Sequence, residues 1–256
     1  MTQSSFKSIL ITGASSGIGA ALALQLAGPG IAMTITGRDP DRLQAVKNKA
    51  GSKGSVVDAR VLDVTDLAAM SALIADIELS SPLDLVIANA GISSSAGAGD
   101  RDGETTRQVF AVNLAGVLNT VLPSVIAMRV RGRGHIAIIS SIAGFRGMPT
   151  APAYSASKVA VKAWGEAIRP QLSKDGIGLS MIFPGFVESR ITDSNTFPMP
   201  FLMPAQRAAQ IIVDGLRRGK RTIAFPWQMI WMMRLLTALP GPIYDAILSR
   251  APKKST

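Results

Sequence analysis

The chain has 256 residues, 47% of them hydrophobic, which is enough for a sizeable core in one large domain or two small ones. Cysteine is absent, so disulfides, thiolate nucleophiles and cysteine metal sites are excluded, and no metal site is expected. The net charge of +10 is uneven: residues 1–199 carry 18 Lys/Arg against 15 Asp/Glu, and residues 200–256 carry nine against two. The basic tail is also strongly apolar and has no nucleic-acid motif, so a nucleic-acid partner is not expected.

The first apolar run, Lys7–Thr12, predicts a buried strand that is stopped by glycine. The residues before it show no signal-peptide pattern, so a cytoplasmic location is expected. The sequence Thr12-Gly13-Ala14-Ser15-Ser16-Gly17-Ile18-Gly19 follows and opens an apolar helix to about Ala27. Glycines let the backbone approach a ligand, and a helix start offers free N–H groups and a favourable dipole. This turn therefore predicts a pyrophosphate cradle, with a plain strand-to-helix turn as the alternative.

The second predicted strand, Ile31–Thr36, is followed by Gly37-Arg38-Asp39. At this place in dinucleotide-binding folds an acidic residue binds the adenosine 2′-hydroxyl, whereas an arginine accommodates a 2′-phosphate. Arg38 therefore favours NADP(H), with NAD(H) as the second choice, and Asp39 is expected to cap the next helix. The alternative is that Arg38 is only a solvated loop charge.

Strands and helices continue to alternate along the chain, with mostly short links. The predicted strands are Ser55–Leu62, Leu83–Ala88, His135–Ser140, Ile177–Phe183 and Arg221–Phe225. The predicted helices are Asp41–Ala50, the segment capped by Asp66 to about Glu78, Glu104–Arg129, Pro152–Lys174 and Ala205–Arg218. The alternation predicts an α/β fold, a Rossmann-like doubly wound parallel sheet of about seven strands in a single domain over residues 1–256. Within it we expect a core at 6–190, a lid and helix at 191–220, and a last strand with an apolar extension at 221–256.

Small or polar residues follow the predicted strands, where a doubly wound sheet binds its ligand. They are Asp63-Val64, Asn89-Ala90-Gly91, Ser140-Ser141 and Pro184-Gly185. Asn113, inside the long predicted helix, is either a satisfied core amide or an active-site group. The single histidine, His135, begins its strand away from this edge and is predicted to be structural.

Tyr154 and Lys158 stand four residues apart, on one face of the predicted helix Pro152–Lys174. An ammonium beside a phenol favours the phenolate, so we expect Lys158 to lower the pKa of Tyr154 from near ~10. Such a tyrosine can give and take a proton near neutral pH. Pairs with this spacing are also common on solvated helix faces.

Taken together, these motifs resemble the short-chain dehydrogenase/reductase family over roughly residues 6–190. They occur in family order: Thr12-Gly13-x-x-x-Gly17-x-Gly19, Asp63, Asn89-Ala90-Gly91, Asn113, Ser141, Tyr154-x-x-x-Lys158 and Pro184-Gly185. The resemblance implies an NADP(H)-dependent oxidoreductase that interconverts a ketone and a secondary alcohol by hydride transfer. The alternatives are a cofactor-sensing protein of this fold without turnover, an NAD-dependent alcohol dehydrogenase, and an epimerase or dehydratase. Family members often pair through the helices that hold Asn113 and Tyr154, which implies a homodimer or homotetramer.

The resemblance also implies roles for individual residues. Tyr154 would donate a proton to the substrate carbonyl, Ser141 would hydrogen-bond that carbonyl, and Lys158 would hold the nicotinamide ribose. Asn113 would hold a water that serves as a proton relay. Asp63 would meet the adenine amino group, with Asn89 beside the adenosine ribose. The expected cofactor-binding residues are Gly13, Ser15, Ser16, Gly17, Ile18, Gly19, Arg38, Asp63, Val64, Asn89, Ala90, Gly91, Tyr154, Lys158, Pro184, Gly185 and Val187.

The last quarter of the chain is expected to shape the substrate site. Residues 192–203 fall where the family places its substrate lid, and Phe197 and Phe201 are predicted substrate contacts beside Ser141 and Tyr154. Flexible apolar side chains favour a lipophilic or bulky carbonyl (3-ketoacyl, steroid-like or ketosphinganine-like), with ordinary loop packing as the alternative.

The segment 226–239 predicts a helix that is apolar almost all round, and residues 243–248 form a further short apolar piece. The helix is shorter than the ~20 apolar residues of a membrane span. Three interpretations stay open: packing over the substrate cleft, an oligomer interface, or insertion into a membrane surface beside a basic anchor.

Overall fold

One parallel sheet of seven strands organises the molecule, in the order β3-β2-β1-β4-β5-β6-β7. The computed structural model describes residues 6–93, 103–193 and 198–249. The strands are β1 Ser8–Ile11, β2 Ala32–Gly37, β3 Val56–Val61, β4 Leu85–Ala88, β5 Gly134–Ile139, β6 Ile177–Pro184 and β7 Thr222–Phe225. The fold class predicted from the alternating pattern is confirmed.

Helices lie between successive strands and extend the chain beyond the last one. They are α1 Gly17–Leu26, α2 Pro40–Gly51, α3 Leu67–Ser80, α4 Glu104–Phe110, α5 Gly116–Arg131, α6 Pro152–Lys174, α7 Arg190–Asp193, α8 Ala205–Arg217, α9 Trp227–Ala238 and α10 Gly241–Ser249. A single π-helical turn, Ala111–Ala115, joins α4 to α5, and a 3₁₀ turn, Ile142–Gly144, follows β5.

The predicted range of α6 is confirmed at both ends, because the residues that begin and end this helix restrict the backbone. Pro152 occupies the first turn, where a missing N–H costs nothing. Gly176, with φ of +73°, stands two residues past the end, in the left-handed region that glycine tolerates. The long helix from Glu104, in contrast, was predicted to be continuous, and the structure interrupts it with the π-helical turn that contains Asn113.

Both faces of the sheet are covered, and alternate strand residues point to opposite sides. Leu10, Val86 and Ile138 belong to one buried apolar cluster, and Ile9 and Ile87 belong to the other. This is why the central strands are continuous apolar runs and do not alternate with polar residues. The same packing fixes the register, since a one-residue slip would exchange the two clusters.

The path over residues 104–131 is the one described helical stretch that is long and apolar enough to cross a membrane by length and composition. Half of its most apolar window is buried inside the molecule. Val117, Val121 and Val125 of α5 belong to the first apolar cluster, so this stretch also meets the description of a core helix.

The strand order reverses between β1 and β4, which lie side by side although two strands separate them in sequence. Helices leaving the carboxyl ends of these two strands go to opposite faces, and a crevice opens between them. This topological switch point lies where the glycine turn follows β1 and where Asn89 follows β4. The fold therefore brings the sequence motifs to one edge.

Candidate active site

A cavity of 1010 Å³ runs along the carboxyl edge of the sheet. One end is formed by the glycine turn and Arg38, the middle by Ser141 and Tyr154, and the other end by methionines of α9. The sequence-predicted residues that line it are Gly13, Ser15, Ser16, Gly17, Ile18, Arg38, Asp63, Val64, Asn89, Ala90, Gly91, Ser141, Tyr154, Lys158, Pro184, Gly185 and Val187.

The glycine turn has the shape that a phosphate group requires. Gly13 and Gly17 adopt φ of +66° and +53°. A Cβ on Gly19 would stand 2.3 Å from the Gly13 carbonyl oxygen, so Gly19 is needed for close packing and does not line the cavity. Ser16, the residue before α1, makes no side-chain hydrogen bond to the helix start. The first N–H groups of α1 thus face the cavity without a side-chain cap, which fits the oxygens of a pyrophosphate.

Asn89 fastens the end of β4 to the glycine turn. Its Nδ2 donates to the carbonyl oxygens of Thr12 and Gly13, at 3.0 and 3.1 Å. The Thr12 hydroxyl oxygen in turn accepts from the backbone N–H groups of Asn89 and Ala90, at 3.1 and 3.2 Å. The Asn89 amide therefore holds the turn in shape, and the predicted contact with a ribose stays a prediction.

Thr12 was not predicted as a site residue. A threonine directly before the first glycine, at the end of an apolar strand, was the available sequence signal. Thr12 is buried, and its hydroxyl links the end of β1 to the Asn89 and Ala90 N–H groups that follow β4.

Arg38 and Asp63 face each other at the adenosine end of the predicted cofactor path. Arg38 Nη1 lies 3.9 Å from Asp63 Oδ2, and the two side chains are 59% and 42% exposed. The other carboxylate oxygen of Asp63 accepts from the N–H and hydroxyl of Thr65, at 2.9 and 2.8 Å. Asp39 caps α2 as predicted, because its Oδ1 accepts from the Arg42 N–H at 3.0 Å. Arg38 thus lines the cavity beside Asp63, and Arg42, which also lines it, is paired with Asp39 at 2.6 Å.

Ser141, Tyr154 and Lys158 meet at the middle of the cavity. Ser141 directly precedes the 3₁₀ turn after β5, and its Oγ accepts from the Ala143 N–H at 3.1 Å. Lys158 Nζ donates to the carbonyl oxygen of Ile139 at 3.0 Å and lies 5.7 Å from the centre of the Tyr154 ring. A second serine, Ser140, donates to the Lys158 carbonyl oxygen at 3.0 Å and ties α6 to the end of β5.

Burial decides the protonation of this group. It raises the pKa of Tyr154 above its ordinary value, and the hydrogen bond from Ser141 opposes this only in part. Burial also lowers the pKa of Lys158 to about 8. The predicted lowering of the Tyr154 pKa is therefore wrong: removing the phenolate from water costs more than its neighbours recover. Tyr154 is a neutral phenol near neutral pH and holds the proton that a donor needs.

Asn113 is a fully buried amide that makes three hydrogen bonds to other parts of the protein. Its Oδ1 accepts from the Ile92 N–H at 2.8 Å, and its Nδ2 donates to the Ile92 carbonyl and the Ser157 hydroxyl, at 2.9 and 3.1 Å. Asn113 therefore joins the loop after β4 to α6. Both hydrogens of the amide are used, so its side chain positions the site, and the predicted relay water stays a prediction.

Gly91 is the close neighbour of this amide and of the lysine. A Cβ at Gly91 would stand 3.3 Å from Asn113 Oδ1 and 3.5 Å from Lys158 Nζ. The loop after β4 thus lies against Lys158 with little space to spare.

The substrate residues were predicted less well than the cofactor residues. Phe197 lies outside the described residues. Phe201 has φ of +60°, its residue is 53% exposed, and it does not line the cavity, so its assignment is corrected. The turn at Pro200 and Phe201 presents the proline to the cavity and leaves the phenylalanine in solvent. The apolar side chains that do line this end include Met148, Met229, Met232 and Met233.

Helix α9 is held over the cavity by Arg146, from the loop between β5 and α6. Its Nη1 donates to the carbonyl oxygens of Leu236 and Leu239, both at 2.8 Å, where α9 ends. The same guanidinium lies 3.7 Å from the centre of the Tyr244 ring, and the Tyr244 hydroxyl donates to the Gly147 carbonyl. One face of α9 therefore covers the cleft, as the first of the three interpretations expected.

Comparisons with known proteins agree with this architecture. The family described as short chain dehydrogenase matches residues 7–198. An uncharacterised oxidoreductase from Myxococcus xanthus is 39% identical over 254 residues, covering 98% of this chain and 99% of that protein. The chain belongs to the short-chain dehydrogenase/reductase family.

Solved structures of this family share the fold over the full length. A short-chain dehydrogenase/reductase from Burkholderia phymatum in complex with NAD has a TM-score of 0.84 at 24% identity and covers 100% of this chain and 99% of its own. A short-chain dehydrogenase from Sphingobium yanoikuyae in complex with NADPH has a TM-score of 0.81 at 23% identity, with 98% of each chain covered. This short-chain dehydrogenase/reductase is thus an NAD(P)-dependent oxidoreductase, and its cofactor preference must come from its own residues.

Proposed function

We propose that the protein uses NADPH to reduce a lipophilic or bulky ketone to a secondary alcohol. The observation that carries this proposal is the grouping of Ser141, Tyr154 and Lys158 in one cavity, between the glycine turn on one side and a methionine-lined end on the other. A carbonyl that enters from the methionine end reaches two hydroxyl groups at the point where the cofactor path ends.

The chain contributes orientation and a proton. The nicotinamide cofactor, when bound, supplies the hydride for the carbonyl carbon. Ser141 donates a hydrogen bond to the carbonyl oxygen and holds it toward Tyr154. Tyr154 then gives its phenolic proton to that oxygen as negative charge develops there. Lys158, an ammonium below about pH 8, places a positive charge within 5.7 Å of the Tyr154 ring and stabilises the phenolate that is left.

NADPH is the preferred cofactor in this proposal, and Arg38 supports it. A guanidinium at the end of β2 can make charge-assisted hydrogen bonds to a 2′-phosphate. NADH, with a hydroxyl at that position, gains little from Arg38. The bound cofactors of the two solved relatives differ, which leaves the preference to this turn.

A lipophilic substrate is supported by the side chains at the far end of the cavity. Four methionines line it, and a flexible thioether chain adapts to apolar groups of varied shape. We infer that 3-ketoacyl, steroid-like and ketosphinganine-like carbonyls are the chemical classes to test.

A homodimer or homotetramer is the proposed assembly, in the cytoplasm or on the cytoplasmic face of a membrane. Helix α5 presents Leu122, Ile126 and Val130 at four-residue intervals, with 49%, 65% and 86% of each residue exposed. Such an apolar stripe on one helix face supports pairing with a second copy of the same helix.

The proposed function is tested by turnover with a defined set of carbonyls. Purified protein is mixed with 3-ketoacyl, steroidal and long-chain ketones, and the oxidation of NADPH and of NADH is followed separately. We expect NADPH oxidation with at least one lipophilic ketone and slower oxidation of NADH. Binding of both cofactors without turnover on any ketone, or on the matching alcohols, would instead identify a cofactor-sensing protein.

A further inference from the structure

We propose that α9 lies flat on the surface of an anionic phospholipid bilayer, and that the cavity takes its substrate from that layer. The second half of the proposal rests on the proposed function, because it requires a lipophilic ketone. The first half requires only the exposed face of α9.

That face carries a stripe of three large apolar residues, named here the tryptophan stripe. Trp227, Trp231 and Leu235 follow each other at four-residue intervals, so they lie on one side of α9. They are 69%, 63% and 69% exposed. Tryptophan has an apolar body and a polar N–H, a combination suited to the boundary between lipid and water.

The opposite face of the helix is already occupied. Met229, Ile230 and Met233 are buried against the body of the protein, and Met229 and Met233 line the cavity. Packing over the cleft therefore accounts for the buried face of α9 and leaves the tryptophan stripe exposed. At 12 residues the helix is too short to span a bilayer, so it would lie in the plane of the surface.

The charge of α9 and of the C-terminal sequence favours an anionic surface. Arg234 is exposed on the same helix, with its guanidinium 5.4 Å from the centre of the Trp231 ring. Helix α9 contains no acidic residue, and the sequence after α10 adds Arg250, Lys253 and Lys254. Residues 200–256 carry nine Lys/Arg against two Asp/Glu, a net +7. Apolar insertion together with positive charge are the two signals that stable interfacial binding requires.

The same charge argues against a second copy of the chain as the occupant. A symmetric contact through the tryptophan stripe places the same patch of both copies together, so Arg234 of one copy would lie near Arg234 of the other. Like charges brought together in a desolvated contact oppose association. A negatively charged lipid surface complements the stripe and its surroundings without this penalty.

The cavity opens beside the tryptophan stripe. Met232, the neighbour of Trp231, lines the cavity and is 46% exposed, so it belongs to both surfaces. Pro200 also lines the cavity, and the adjacent Phe201 and Leu202 are 53% and 43% exposed. An apolar rim thus continues from α9 to the cavity, and a ketone dissolved in the lipid could enter without crossing water.

Vesicle flotation of the full chain tests the docking half. Vesicles of phosphatidylcholine alone are compared with vesicles of phosphatidylcholine mixed with phosphatidylglycerol. We expect the protein to float with the anionic vesicles, and Trp227→Ser/Trp231→Ser to reduce the bound fraction by about tenfold. The matched control, Leu67→Ser/Leu79→Ser on α3, removes two apolar residues that are 56% and 89% exposed and should float like the wild type.

NADPH binding by each variant shows that the fold is intact. Point substitutions are preferred to truncation, because removing α9 would also remove the buried Met229 and Met233, which line the cavity. If the stripe variant does not fold, a measurement on the wild type alone tests the proposal. The tryptophan fluorescence emission of the wild type should shift to shorter wavelength when anionic vesicles are added, and should not shift with neutral vesicles. Absence of flotation and of this shift would overturn the proposal. So would a stripe variant that floats like the wild type, or one whose mass in sedimentation falls from that of the wild-type oligomer.

Turnover separates the second half from the proposed function. The stripe variant should lose rate on a ketone carried in anionic vesicles and keep it on a water-soluble ketone. Equal rates of wild type and variant on the vesicle-borne ketone would overturn delivery from the membrane. No turnover on any ketone, with vesicle binding retained, would remove the proposed function and the delivery half and leave the docking half standing.

Discussion

Replacing Arg38 with alanine isolates the charge that the proposed function assigns to the cofactor 2′-phosphate. The existing partner of Arg38, Asp63, lies 3.9 Å away, and both side chains are more than 40% exposed. An exposed pair of this kind contributes only about 0–1 kcal/mol to the stability of the fold, so losing it should leave the folded protein almost unchanged. A hydrogen bond to a charged group contributes about 1.5–3 kcal/mol. We therefore expect the NADPH dissociation constant to rise roughly 10- to 150-fold, and that of NADH to change less than about threefold.

The assay is titration of cofactor fluorescence with wild type, Arg38→Ala and a matched control. Arg60→Ala is the control, because Arg60 is similarly exposed and pairs with Asp58 and Asp76, away from the cavity. It removes the same net charge, so it reports any long-range effect, which added salt should suppress. Equal losses of NADPH and NADH affinity in Arg38→Ala would refute the 2′-phosphate argument.

Three further changes test the electrostatics and the packing. The pKa of Lys158 is about 8, so its side chain is an ammonium below that pH. The rate of ketone reduction should therefore fall as the pH rises through about 8. A flat pH–rate profile across this region would contradict the role assigned to Lys158. Burial holds the pKa of His135 at about 4, below the 6.5 of an unfolded chain, so stability present above pH 6.5 is lost as pH falls toward 4, by at most about 3 kcal/mol. In urea unfolding, His135→Gln should show less of this acid loss than the wild type, and an unchanged pH dependence would count against it. Arg146→Met should lower Tm and speed amide exchange across residues 227–239 without weakening NADPH binding. Arg146→Lys should recover part of the Tm and of the exchange protection. Unchanged exchange in Arg146→Met would show that Arg146 does not hold α9.

The sequence predicted the sheet and the cofactor edge well because their signals are local. Continuous apolar runs, glycines with positive φ such as Gly13, and Pro152 at a helix start each restrict the backbone at their own position. Short links between these elements then leave few topologies open. The cavity residues at the glycine turn and at the strand ends follow from those elements, whereas others, such as Val187, were assigned from the family resemblance.

Features that depend on three-dimensional burial were not predictable in the same way. The direction of the Tyr154 pKa shift depends on how much water the fold removes, and an i,i+4 spacing carries no such information. The π-helical turn at Asn113 arises where its amide bonds the Ile92 backbone, a partner 21 residues away. Helix α9 is apolar almost all round, so its sequence could not show that Met229 and Met233 face the cavity while Trp227 and Trp231 face outward.

The proton donated by Tyr154 is the central claim, and a single-turnover experiment on Tyr154→Phe tests it most directly. Enzyme saturated with NADPH is mixed with a ketone that the wild type reduces, and loss of NADPH absorbance is followed in time. A positioned general acid contributes about 10²–10⁴ in rate, so the variant should be slower by that factor while its NADPH dissociation constant changes little. Reduction at the wild-type rate by Tyr154→Phe would contradict the account.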